Sequence, residues 1–165
     1  MNRPTNAAIL SDELWKRHAN RWSVIMRYSA FPLIIASIWS RVWLGWWCLV
    51  PLAFTVAWIW LNPRLFPVPT STNNWAGKAV LGERVWLNRK IIAIPEHHAR
   101  AAIILNAVNG LGAMVLCYGL FALDPWCTAL GFSIGLFGKT WFLDRMVWLF
   151  EDMIHTSAEY RDWLY

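Results

Sequence analysis

The sequence predicts an all-α membrane protein, with four transmembrane helices in two antiparallel hairpins plus cytoplasmic interfacial helices. Three observations lead there. Hydrophobic residues make up 58% of the chain and its mean hydropathy is positive, above the apolar share of ordinary soluble domains. Residues 42–61 (VWLGWWCLVPLAFTVAWIWL) and 101–123 (AAIILNAVNGLGAMVLCYGLFAL) carry no charge, and each is long enough to cross a hydrocarbon core of roughly 30 Å. The fourteen tryptophans gather at the ends of apolar runs. Trp39, Trp43, Trp46, Trp47 and Trp126 mark one interface, and Trp22, Trp58, Trp60, Trp141 and Trp148 the other, as in an aromatic belt.

The elements follow in order along one integral membrane domain, residues 1–165. The first 20 residues are polar, with no apolar core and no small-residue cleavage site, so no removable signal peptide is expected. Ser11, Asp12 and Glu13 cap a short helix running through Trp15 toward His18. The first span is 23–40, with Arg27 near its start and Pro32 inside. A tight turn at Ser40 and Arg41 leads into the second span, 42–61. The connector 62–100 opens with NPRLFPVP, whose prolines force an extended path. Its STNNWAGKAVLGERVWLNRK reads as an interfacial amphipathic helix, with Trp75, Ala79, Gly82 and Trp86 on one face. A connector this long is more often functional than filler. Pro95 suits the first turn of the helix that carries span 101–123. Asp124 and Pro125 turn the chain into the fourth span, 126–150.

Charge sets the orientation. Residues 1–27 hold five Lys/Arg, the connector six, and the two tight turns only Arg41. The positive-inside rule then places the N-terminus, connector and C-terminus in the cytoplasm of an inner (plasma) membrane. The net charge of +5 suits anionic headgroups as a partner. No nucleic-acid motif accompanies it. Cys48, Cys117 and Cys127 lie in or beside apolar runs and read as packing residues. A Ser–His–Asp set, a P-loop and a dinucleotide fingerprint are all absent from the sequence.

The residue that asks most for a function is Lys139, inside WCTALGFSIGLFGKTWFL. A charge at membrane depth costs about 2.5–3.5 kcal/mol and implies a partner. By depth, Asn106 and Asn109 on the third span are level with it, roughly 10 Å from the cytoplasmic face at 1.5 Å per residue. Pairing across the hairpin is the expected outcome. On the third long helix His98, Asn109, Ala102, Gly112 and Ala113 share a small, polar side, while Ile103, Ile104, Val108 and Leu111 cover the lipid side. On the fourth, Thr140, Asp144, Glu151 and His155 make a polar line, their directions agreeing within roughly 60°. Gly131 and Gly135, with Gly138, permit a close helix contact, within the chain or to another subunit of a homo-oligomer or larger complex.

These groups support three kinds of chemistry at the cytoplasmic membrane face. Lys139, Asp144, Glu151 and His98 are candidate acid–base groups for a lipid-soluble or anionic ligand. Asn106, Asn109, Arg100 and Arg145 are candidate ligand-binding residues. His97, His98, Glu151 and His155 are candidate ligands for a divalent metal, the one cofactor the residues suggest. Adjacent His97 and His98 argue mildly against that, since helical neighbours diverge by about 100°. A plain salt-bridge network tying the connector to the helix ends explains the same residues. Two functions follow: a small membrane-embedded enzyme or transporter, or a non-catalytic assembly subunit of a membrane complex.

The strings HANRWSVIMRYSAFP, SRVWLGWW, WLNPRLFP, STNNWAGKAVLGERVWLNRK, PEHHAR and KTWFLDRMVWLFEDM, in that order, resemble a family of small polytopic prokaryotic membrane proteins, a domain of unknown function. The resemblance covers nearly the whole chain. It implies the helical membrane fold and carries no activity, ligand or site residue with it.

Overall fold

The computed structural model describes residues 12–165, all of whose regular structure is helical. The Ser11 cap expected for the first helix lies outside these residues. Helix α1 (Asp12–His18) starts with Asp12 and Glu13 and ends with Lys16, Arg17 and His18. That order complements its dipole. Asn20 caps α2 (Arg21–Tyr28) by accepting from the Trp22 N–H at 2.9 Å. Helices α3 (Ala30–Trp39) and α4 (Arg41–Leu44) follow, then a 3-10 turn (Gly45–Cys48) and α5 (Leu49–Leu65). Gly45 takes φ +54° where the chain reverses, a conformation only glycine adopts without strain. The reversal makes an antiparallel hairpin. The Ser23 hydroxyl donates to Asn62 Oδ1 at 2.8 Å near its open end, and Ser37 meets Thr55 at 3.4 Å farther up.

Helix α6 (Trp75–Leu87) interrupts the connector, and α7 (Glu96–Ala122) and α8 (Pro125–Met153) form the second antiparallel hairpin. Asp124 caps α8 by accepting from the Cys127 N–H at 2.8 Å, with Pro125 in the first turn. Close packing of the pair depends on small residues. A Cβ on Gly131 would lie 2.3 Å from the Leu116 backbone nitrogen. The small-residue seam is therefore used inside the chain at Gly131, and an oligomer built through that position would have to displace α7. A short α9 (Ala158–Asp162) ends the fold.

The two hairpin tips lie side by side. Arg41 donates to the Leu120 and Phe121 carbonyls at 2.6 Å each, capping the negative end of α7. Trp43, Trp46, Trp47 and Trp126 are strongly exposed around these tips. The opposite end, the base, holds the main core, where α6, α7, α8 and α9 meet around Val85, Leu105, Met146, Leu149, Phe150 and Tyr160.

The first turn lies at Gly45, with 41–48 helical, rather than at Ser40 and Arg41, and two further expectations change. Four separate spans are not what length and apolarity single out: among the described residues two segments pass, Arg21–Asn62 (42 residues) and Glu96–Ala122 (27 residues). The first runs from the start of α2 through most of α5. Helix α8 is long enough, but Lys139, Asp144, Arg145, Glu151 and Asp152 make it more polar. Second, the face of α6 read as interfacial is a packing face. Ala76, Gly77, Ala79, Val80, Leu81, Gly82, Arg84 and Val85 are buried, and a Cβ on Gly82 would lie 1.9 Å from the Met146 carbonyl oxygen. The stripe read as lipid-facing is where α8 crosses.

Candidate functional site

At the base, α2, α3, α6 and α8 enclose a cavity of about 70 Å³. Val24, Phe31, Val80 and Leu143 give it apolar walls, Tyr28 adds a phenol, and Arg27, Glu83 and Lys139 supply charge. The Lys139 ammonium donates to Glu83 Oε1 at 2.6 Å and sits 4.9 Å from the centre of the Phe142 ring. Side-chain exposures of 39% for Lys139 and 20% for Glu83 leave the pair reachable from outside. Arg27 donates to the Ser23 carbonyl at 3.3 Å, to the His18 carbonyl at 3.2 Å and to His18 Nε2. Accepting at Nε2 makes His18 a neutral Nδ1–H tautomer. Burial pushes its pKa down to about 3, with repulsion from Arg27 and Lys139 adding to that. With His18 neutral, two cations and one carboxylate leave the cavity one positive charge in excess.

The expected partner of Lys139 is thus corrected. Neither Asn106 nor Asn109 holds it. Asn106 is exposed on α7. Asn109 lies over Gly138 with a buried Oδ1 that has no hydrogen bond. Side chains one residue apart on a helix point about 100° apart, so Gly138 faces α7 while Lys139 faces α6. Ala113, expected on the packed side, is also exposed, while Ile103, Ile104 and Leu111 are exposed as expected.

Three members of the polar line on α8 make contacts within the chain. Thr140 meets the Tyr28 hydroxyl at 3.2 Å, Asp144 accepts from Trp75 Nε1 at 3.3 Å, and Glu151 takes Lys78 at 2.9 Å. His98 joins Asp152 at 2.8 Å. The acid–base quartet Lys139, Asp144, Glu151 and His98 therefore divides among four different partners. Arg100 is held by Glu96 one turn earlier, at 2.5 Å, and Arg145 lies over Trp148 with a buried Nε that has no partner. Of the expected metal group, Glu151 is engaged by Lys78 and His155 is exposed past the end of α8; His97 and His98 remain together.

Sequence reasoning missed Glu83, Tyr28 and Asp152. Glu83 had a signal, being the sole acidic residue of WAGKAVLGERVWL. Asp152 is found from hairpin register only once α7 and α8 are paired. Tyr28 carried none.

Among curated proteins and solved structures, nothing matches this chain. A family model matches residues 1–163, almost the full length, and on that match the chain belongs to the family of unknown function DUF6653.

Proposed function

We propose that this is a single-domain, multi-pass protein of the inner (plasma) membrane, with both hairpins crossing the bilayer and the base in the cytoplasm. Its cavity takes the anionic head of a lipid-soluble ligand at the cytoplasmic membrane face. The membrane part is supported by exposure. The most apolar windows of the two candidate segments are only 6% and 17% buried, whereas the core helix of a soluble protein hides its apolar face. Exposed tryptophans at the tips suit headgroup depth.

The observation that carries the ligand reading is the pairing of an uncompensated positive charge with apolar walls in one cavity. At about 70 Å³ it is well below the roughly 300–1,000 Å³ of drug-sized sites. It therefore suits a head of a few heavy atoms, with the tail lying along the exposed helices. Lys139 and Glu83 can exchange a proton with such a head, which suits a small enzyme or a carrier. Four spans are few for a solute path, so transport would call for an oligomer. A second reading, a non-catalytic assembly subunit, draws on the pairing of Asp144, Glu151 and His98 within the chain.

Native mass spectrometry of protein extracted into lipid nanodiscs separates the two. The wild type is expected to retain an anionic amphiphile, and Lys139→Met to lose it by tenfold or more. Lys139→Met leaves the Glu83 carboxylate, 20% exposed, without its partner, whereas removing both charges together avoids that cost. Lys139→Met/Glu83→Met is therefore expected to regain stability without regaining ligand. Unchanged lipid retention in both variants would favour the assembly reading.

A further inference from the structure

His97 and His98 occupy the first turn of α7, and Asp152 the last turn of α8. Their ligand atoms all lie within 4.8 Å of one another. We infer that these three residues form a site for a divalent transition metal, separate from the amphiphile cavity. Asp152 stands thirteen residues beyond Lys139 on α8, roughly 20 Å along the helix at 1.5 Å per residue.

The geometry is close to what a tetrahedral ion needs. Bonds of about 2.0–2.1 Å to nitrogen and oxygen put neighbouring ligand atoms roughly 3.3 Å apart. Asp152 Oδ2 is 2.8 Å from His98 Nε2 and 4.0 Å from His97 Nε2, which bracket that value, and the widest separation in the trio, up to 4.8 Å, closes by movement of the exposed His97 and Asp152 side chains. Adjacent helical residues start out divergent, yet the two rings turn to the same side, with centroids 4.1 Å apart. His98 is held by packing, with 3% of its side chain exposed, whereas His97 and Asp152 are 70% and 56% exposed. One rigid ligand and two adjustable ones leave an open face toward solvent. Three protein ligands with an open position are the pattern of catalytic metal sites rather than structural ones. Imidazole with carboxylate favours zinc, iron, cobalt or nickel over magnesium or calcium. The positive end of α7 and the negative end of α8 meet here and largely offset each other. Glu96 is held by Arg100 at 2.5 Å and is not needed.

The competing account is a plain His98–Asp152 hydrogen bond joining two helices. The full chain, purified through a tag without histidines and stripped with chelator, would be titrated with Co²⁺. Visible absorption would follow the titration, and elemental analysis would count bound metal. One equivalent is expected, with affinity reduced at least tenfold in His97→Ala and in Asp152→Asn and unchanged in His155→Ala. Both key substitutions fall on exposed side chains, and circular dichroism checks that the variants stay folded. No uptake, or uptake that the two variants leave unchanged, overturns the site and leaves the hydrogen bond. The readout involves no lipid, so it succeeds or fails independently of the amphiphile proposal.

Discussion

His18 shows how far a single residue's chemistry depends on its neighbours. In the unfolded chain it titrates near 6.5; in the fold, burial with Arg27 and Lys139 nearby holds it neutral down to about pH 3. The unfolded state therefore binds the extra proton over that interval. Stability from this residue is full above about pH 6.5 and falls as the pH drops toward 3. The melting temperature in detergent is expected to fall between pH 7 and pH 4, and to fall less in His18→Gln. An equal fall in both proteins would assign the acid sensitivity to other groups. Lys139 is the companion case. The cost of a charge inside an apolar run was legible in the sequence, but its partner was not. Choosing between Glu83 and the two asparagines depends on which way α8 is rotated, and only packing sets that.

At the scale of elements, glycines separate contact from exposure. Gly82→Ala would drive a methyl into the Met146 carbonyl, and two backbones cannot both yield. A loss of about 1–3 kcal/mol or more is expected from such overpacking. Gly110→Ala is the control. It meets nothing within 4 Å on α7, so helix propensity alone predicts a gain of up to about 1 kcal/mol. Comparing the thermal unfolding of the two variants checks this, and equal behaviour would contradict the α6–α8 crossing. The same crossing explains the misreading of α6. Trp75, Ala79, Gly82 and Trp86 do share a face, but small residues on a stripe mark close helix approach as readily as an interface. The α7–α8 hairpin was legible because Asp124-Pro125 ends one long apolar run and begins another.

For the whole molecule, the orientation proposed from Lys/Arg counts makes a prediction about sides. The tips carry Trp46, 86% exposed, and the connector at the base carries exposed Asn73. In a cysteine-free background, Trp46→Cys in spheroplasts should react with a membrane-impermeant maleimide. Asn73→Cys should react only after permeabilisation. Labelling of both sites without permeabilisation would overturn the topology, and with it the cytoplasmic position of the cavity.

By itself the sequence determined helical class, the long apolar segments, the Asp124-Pro125 turn and the chemical inventory of the base; the first turn, expected at Ser40 and Arg41, lies at Gly45. Those properties are local: propensity, run length and turn residues act over a few positions. Tertiary structure alone decided that α6 packs against α8, that Glu83 rather than an asparagine meets Lys139, and that His97 and His98 converge on Asp152. Each of these depends on helix rotation and register between segments far apart in the chain. A rotation of about 100°, one residue's step, exchanges the partner of every side chain on a face.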